Sequence, residues 1–203
     1  MIRSGIKFLR RRDVLEIWGG GVLQRFGAFN FYAPYPSFES LGRLLGAVRY
    51  HRLFARNLSL QASFSSQFSS DVFDLLREQP ETYRNRHRTF QQSFRIGLRK
   101  SGKAGKWLLG LAGDIDAIRS QGIRSGLTAA ALGDHNRSVF SAFGEFSLDR
   151  GAFFIDTGIR TSLGSYQDLS GHFLLGCRPA SGLRLTGSLC RTFRIPTYTE
   201  LYY

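Results

Sequence analysis

Asp114 and Asp116 stand two residues apart, a spacing that puts both carboxylates on one face of an extended chain. Glu145, Asp156 and Arg160 fall in segments of the same kind and face the same way. Paired carboxylates can do general acid–base work, but only with a positioned substrate and a neighbour that tunes one of them. No such constellation surrounds them here. Arg95 and Arg99 point instead to a cross-strand ion network. His51, His87, His135 and His172 are scattered, and none has metal-ligand spacing to another His or Cys. Lys103-Ala-Gly-Lys-Trp107 has the look of a phosphate loop, yet the upstream Gly is missing and Trp107 stands where Ser or Thr belongs. It reads as a turn. Cys177 shares a face with Phe173 and Leu175, whereas Cys190 shares one with Arg184, Thr186 and Ser188. Opposite faces of adjacent strands cannot be bridged, and two cysteines are too few for a disulfide scaffold. The expectation is no enzyme, no metal and no cofactor. One cluster fits ligand contact: Phe31, Tyr32 and Tyr35, in a loop that also carries Phe29 and Phe38. Aromatic rings there can clasp a bulky or planar ligand; the plainer alternatives are packing of the loop on itself or an aromatic girdle at a lipid interface.

The elements that hold these residues are legible as period-two alternation. In segment 87–99, Phe90, Phe94, Ile96 and Leu98 oppose Thr89, Gln91, Ser93, Arg95 and Arg99. The same pattern recurs at 58–67, 106–117, 138–148, 151–160, 166–178 and 183–193, and less cleanly at 13–23 and 42–52. That predicts about nine strands. Apolar residues fall at i and i+2 rather than i, i+3 and i+4, which excludes helices. Connections at 53–57, 100–105, 149–151 and 179–182 read as short. Those at 25–41, 68–86 and 119–136 read as long, with a lesser link at 164–165. Short and long take turns, as in an outer-membrane barrel with short periplasmic turns and long outer loops. The fold class predicted is all-β: an antiparallel meander forming part of a transmembrane outer-membrane β-barrel, in one domain over 1–203.

Hydrophobic residues make up 42% of the 203, and no apolar run approaches the 18 or so residues of a membrane helix. A membrane strand needs only about 9–11 alternating residues. The basic opening lacks the apolar core and small-residue cleavage site of a signal peptide. Net charge is +13. Solvated Arg on inward and rim positions accounts for that. Contact with phosphate-rich lipid headgroups, or attraction of an anionic ligand, would use it. A soluble basic β-protein that binds nucleic acid is the alternative. It requires Arg clustered with stacking aromatics on one surface, whereas Arg here is spread along alternate strand positions and into turns.

Three segments resemble a known family. Residues 193–203 read Phe-Arg-Ile-Pro-Thr-Tyr-Thr-Glu-Leu-Tyr-Tyr, similar to the late-barrel signature of TonB-dependent outer-membrane receptors. Residues 26–39, aromatic and proline-bearing, resemble an outer loop of cobalamin- and siderophore-type receptors. Residues 83–89, Tyr-Arg-Asn-Arg-His-Arg-Thr, resemble the re-entry from a long outer loop into a strand. The resemblance implies a place in the cell outer membrane and a parent receptor. That receptor would take up a bulky nutrient, such as an iron–siderophore or cobalamin, energised by the TonB complex acting on a plug domain. No segment here matches the plug, the energy-coupling box or the early strands, and in the family further strands follow the signature. The chain is therefore expected to be a piece of such a receptor, contributing wall strands and outer loops.

Overall fold

Alternating sequence of this kind folds as strands because each side chain then points to the surface that suits it. In the computed structural model, which describes residues 2–27 and 34–202, ten strands form one antiparallel sheet. They are β1 (Ile2–Arg10), β2 (Asp13–Gly27), β3 (Phe38–Ala55), β4 (Leu58–Asp74), β5 (Tyr83–Gly102), β6 (Gly105–Arg124), β7 (Leu127–Asp149), β8 (Phe153–Gly164), β9 (Asp168–Ala180) and β10 (Leu183–Arg191). Each strand pairs with its neighbour in sequence, and β1 and β10 are open edges. A five-residue helix, α1 (Tyr198–Tyr202), follows. The chain is all-β and antiparallel, as its alternation predicts.

Several expectations need correction. Among the described residues there are ten strands, where alternation counted about nine. The addition is β1, whose Ile2, Ile6 and Phe8 alternate with Arg3 and Lys7 in what read as a basic opening. The first edge is therefore β1, not the strand at 13–23, and the last strand ends at Arg191, short of Phe193. The long connection at 119–136 is absent. Strands β6 and β7 run on to a two-residue turn at Ser125 and Gly126, with φ of 52° and 78°. Two positive φ values in succession mark the turn whose twist matches a hairpin. Alternation failed as a guide there for two reasons. The run Leu127-Thr-Ala-Ala-Ala-Leu shows no regular polar alternation, and the pairing is interrupted between Ser120↔Gly133 and Gln121↔Ala130, where β7 carries two extra residues. The connections at 68–86 and 25–41 shrink to 75–82 and 28–37.

The meander puts the turns at 11–12, 56–57, 103–104, 150–152 and 181–182 at one end, all short. Strands β2, β4, β6 and β8 end at the other, and only the links after β2 and β4 are long. Strict short–long parity thus weakens, while the two-ended order remains.

Candidate membrane interface and polar face

The two faces of the sheet carry different chemistry. On β5 the outward side chains from Phe90 to Leu98 are Phe90, Gln92, Phe94, Ile96 and Leu98, a charge-free window of nine residues. Arg84, Arg86 and Arg88 follow on the same face towards the long loops, and Lys100 towards the short turns. Register carries the window across the sheet. Phe94 stands opposite Phe64, which stands opposite Val48, which stands opposite Ile17, which stands opposite Ile6. In the other direction Ile96 meets Leu111 and Leu98 meets Leu109, and Phe173 of β9 meets Leu189 of β10. On β6 the charge-free stretch of that face runs from Trp107 to Ala117, and on β8 from Phe153 to Leu163. Windows of nine to eleven residues match what a tilted strand needs to cross hydrocarbon, about 9–11. The strands themselves are longer, 20 residues for β5 and β6, so they project beyond the window at the loop end.

The side chains in this window are exposed. Among the described residues, six apolar side chains are buried, while large apolar side chains such as Phe94 (38%), Leu111 (55%) and Ile159 (60%) stand open. Large exposed apolar patches mark a surface meant for another apolar phase. Near the short turns the window ends in aromatics: Phe8, Trp107 and Phe153 are exposed, Phe54 is exposed just beyond Arg52, and Phe146 packs on Trp107 with ring centroids 4.2 Å apart. Phe94 also lies against Phe140, and its ring covers the space a side chain at Gly113 would occupy.

The opposite face is polar and ion-paired. Asp114 accepts from Ser93 at 2.7 Å and lies 3.9 Å from Arg160. Asp116 accepts from Arg137 at 2.8 Å, Glu145 lies 3.5 Å from Arg95, and Asp156 pairs with His172 at 2.8 Å. The predicted network exists, but Asp114 and Asp116 take Arg160 and Arg137 rather than Arg95 and Arg99. The pairs Arg95–Glu145 and Asp114–Arg160 each skip a strand, which a concave face allows. Arg49 of β3 and Glu145 of β7 line one cavity of about 500 Å³. Alternation alone missed Phe143 and Phe154, which are buried on this face under arginines: Arg95 sits over Phe143 at 4.1 Å, and Arg178 and Arg184 over Phe154 at 4.7 and 4.1 Å. No group of three or more His, Cys, Asp or Glu among the described residues could hold a metal. Cys177 and Cys190 are free thiols.

The tail after β10 folds back over this polar face. Thr197 and Glu200 cap α1 reciprocally: the Thr197 amide donates to the Glu200 carboxylate at 2.7 Å, and the Glu200 amide to the Thr197 hydroxyl at 3.2 Å. Arg194 donates to the same carboxylate at 2.6 Å. That arginine and the Thr197 amide hold the Glu200 pKa down at about 2. Arg137 anchors the tail by donating to the Pro196 carbonyl at 2.5 Å, with its guanidinium 4.4 Å from the Tyr198 ring centre. Tyr198 donates to the Asp116 carbonyl at 3.0 Å, and Tyr202 stacks on His135 at 3.6 Å.

Of the three ligand-loop candidates, Phe31 and Tyr32 lie outside the described residues. Tyr35 is 47% exposed, and its carbonyl accepts the Ser37 amide at 2.7 Å. No protein-family model matches the chain, and no curated protein matches it.

Proposed function

We propose that the chain is a wall segment of a TonB-dependent outer-membrane receptor. It would supply strands and outer loops to a transporter that takes up a bulky nutrient such as an iron–siderophore or cobalamin. The observation that carries the membrane part is the charge-free, exposed window whose outward side chains meet in register from strand to strand, with the ion pairs of that face, Arg84–Asp74 and Arg52–Asp13, lying outside it. A charge inside that window would cost about 2–4 kcal/mol near the bilayer centre, which is the pressure that empties it of Arg and Lys. A soluble sheet would bury its apolar face instead. The receptor part rests on the resemblance of residues 193–203, 26–39 and 83–89. In this reading the lipid of the outer membrane meets the apolar face, and the concave face lines a wet lumen. The TonB complex would act through a plug carried elsewhere in the receptor.

The test is the coding DNA on both sides of this frame. A plug with an energy-coupling box upstream, and further alternating strands downstream, are the expected result. Flanks that encode neither, together with a chain that stays monomeric and folded in water, would overturn the reading.

A further inference from the structure

The short-turn end carries a concentration of positive charge that the loop end lacks. Taking the five short turns with three residues on each side, that end holds ten Lys or Arg against two Asp. The same margin around the four connections at the loop end holds four Lys or Arg against five Asp or Glu. Most of the chain's net +13 therefore sits at one rim. Four of the five turns themselves contain a cation: Arg11 and Arg12, Arg56, Lys103, and Arg150. The fifth is flanked by Arg178 and Arg184. Among the described residues, Arg178 is the one cation of these ten with a carboxylate within ion-pair distance, Asp149 at 2.8 Å. At the loop end, by contrast, Arg84 is paired with Asp74 at 2.5 Å. Fold stability gives no reason to gather unpaired cations at one end, because they repel one another.

The rim lies directly beyond the aromatics that close the apolar window. Phe8, Phe54, Trp107 and Phe153 each precede or follow a cationic turn by three residues or fewer. Aromatic rings settle at headgroup depth, so cations just past them stand among the headgroups themselves. We propose that the short-turn rim is a binding surface for anionic phospholipid, drawing phosphate-bearing, net-negative headgroups to the leaflet on that side. This rests on the membrane reading above. Its chemistry is that of a polybasic segment at a membrane surface: several Lys and Arg, each contributing a modest, salt-screened attraction.

Trp107 supplies the probe, because it lies on the lipid face at the rim, whereas Trp18 lies on the opposite face opposite Gly5 and Ala47. The full chain carrying Trp18→Phe is refolded into dodecyl maltoside micelles and checked by far-UV circular dichroism. Lipid brominated on its acyl chains is then added, as phosphatidylglycerol or phosphatidylcholine at equal mole fraction. Brominated phosphatidylglycerol should quench Trp107 about threefold more at low mole fraction, a preference that 0.5 M salt should remove. It should also vanish in the variant Arg11→Gln, Arg12→Gln, Lys103→Gln, Arg150→Gln, and survive Arg77→Gln with Arg124→Gln at the loop end. Equal quenching by the two lipids, or a preference that outlasts both high salt and the four rim substitutions, overturns the proposal while leaving the membrane reading intact. Trp107 that neither lipid quenches overturns the membrane reading, and this proposal with it.

Discussion

At the residue scale, neighbours on one strand should behave oppositely. Phe94 faces outward against Phe140, while Ser93 faces the concave side and donates to Asp114. In the barrel proposed above, a lipid-soluble maleimide should label Phe94→Cys, and a water-soluble one Ser93→Cys. Reversed labelling would reject the assigned faces. Phe94→Arg should impair assembly by about 2–4 kcal/mol, and Ser93→Arg far less, since its charge enters a wet face already rich in ion pairs. Glu200 gives a pH prediction. Its folded value, about 2, lies below the ordinary 4.5, so its contribution is fully present above pH 4.5 and is lost as pH falls through 2. Tyrosine near-ultraviolet circular dichroism, to which Tyr198 and Tyr202 contribute, should hold from pH 7 to 4.5. It should decline towards pH 2, and Glu200→Gln should show the low-pH spectrum at neutral pH.

At the element scale, the β6–β7 hairpin and the tail are the two features that alternation did not foresee. The hairpin turns on Ser125, the one non-glycine residue with positive φ among those described. Ser125→Asn, which suits the left-handed conformation better, should stabilise the hairpin by a few tenths of a kcal/mol, and Gly126→Val should destabilise it by about 1–2 kcal/mol. Urea midpoints in detergent would show an effect of the opposite sign if the turn were elsewhere. The tail hangs on Arg137, which meets Asp116, the Pro196 carbonyl and the Tyr198 ring. Arg137→Lys keeps the charge but loses the planar fork. Trypsin should then cut after Arg194 about tenfold faster, following a local opening made easier by about 1.4 kcal/mol. An unchanged rate would mean that the tail is held by something else.

At the scale of the molecule, the sheet ends in two unpaired strands, β1 and β10, and few apolar side chains are buried among the described residues. Open edges are not tolerated in lipid and invite pairing with other chains in water. The isolated chain should therefore collect in inclusion bodies and fail to insert into liposomes. A folded, heat-modifiable monomer recovered from liposomes, seen on cold gel electrophoresis, would refute this.

Period two carries much of this architecture in the residues themselves. Because side chains alternate strictly on an extended chain, the outward Phe90–Leu98 set, the inward carboxylates and the separation of Cys177 from Cys190 follow from local order alone. The meander follows too, since short connections pair neighbours. What local order does not carry is anything set by partners far along the chain. Strand β1 became a strand by pairing with β2, and β6 and β7 extended through a run without polar alternation because each supplied hydrogen bonds to the other. Asp114 took Arg160 rather than the arginines first expected, because curvature brings alternate strands together on the concave face. The terminal signature folded back as a capped turn of helix against Arg137, 59 residues away from the carbonyl it holds. Each of these is a tertiary decision, made by backbone pairing and by the shape of a sheet that no single segment contains.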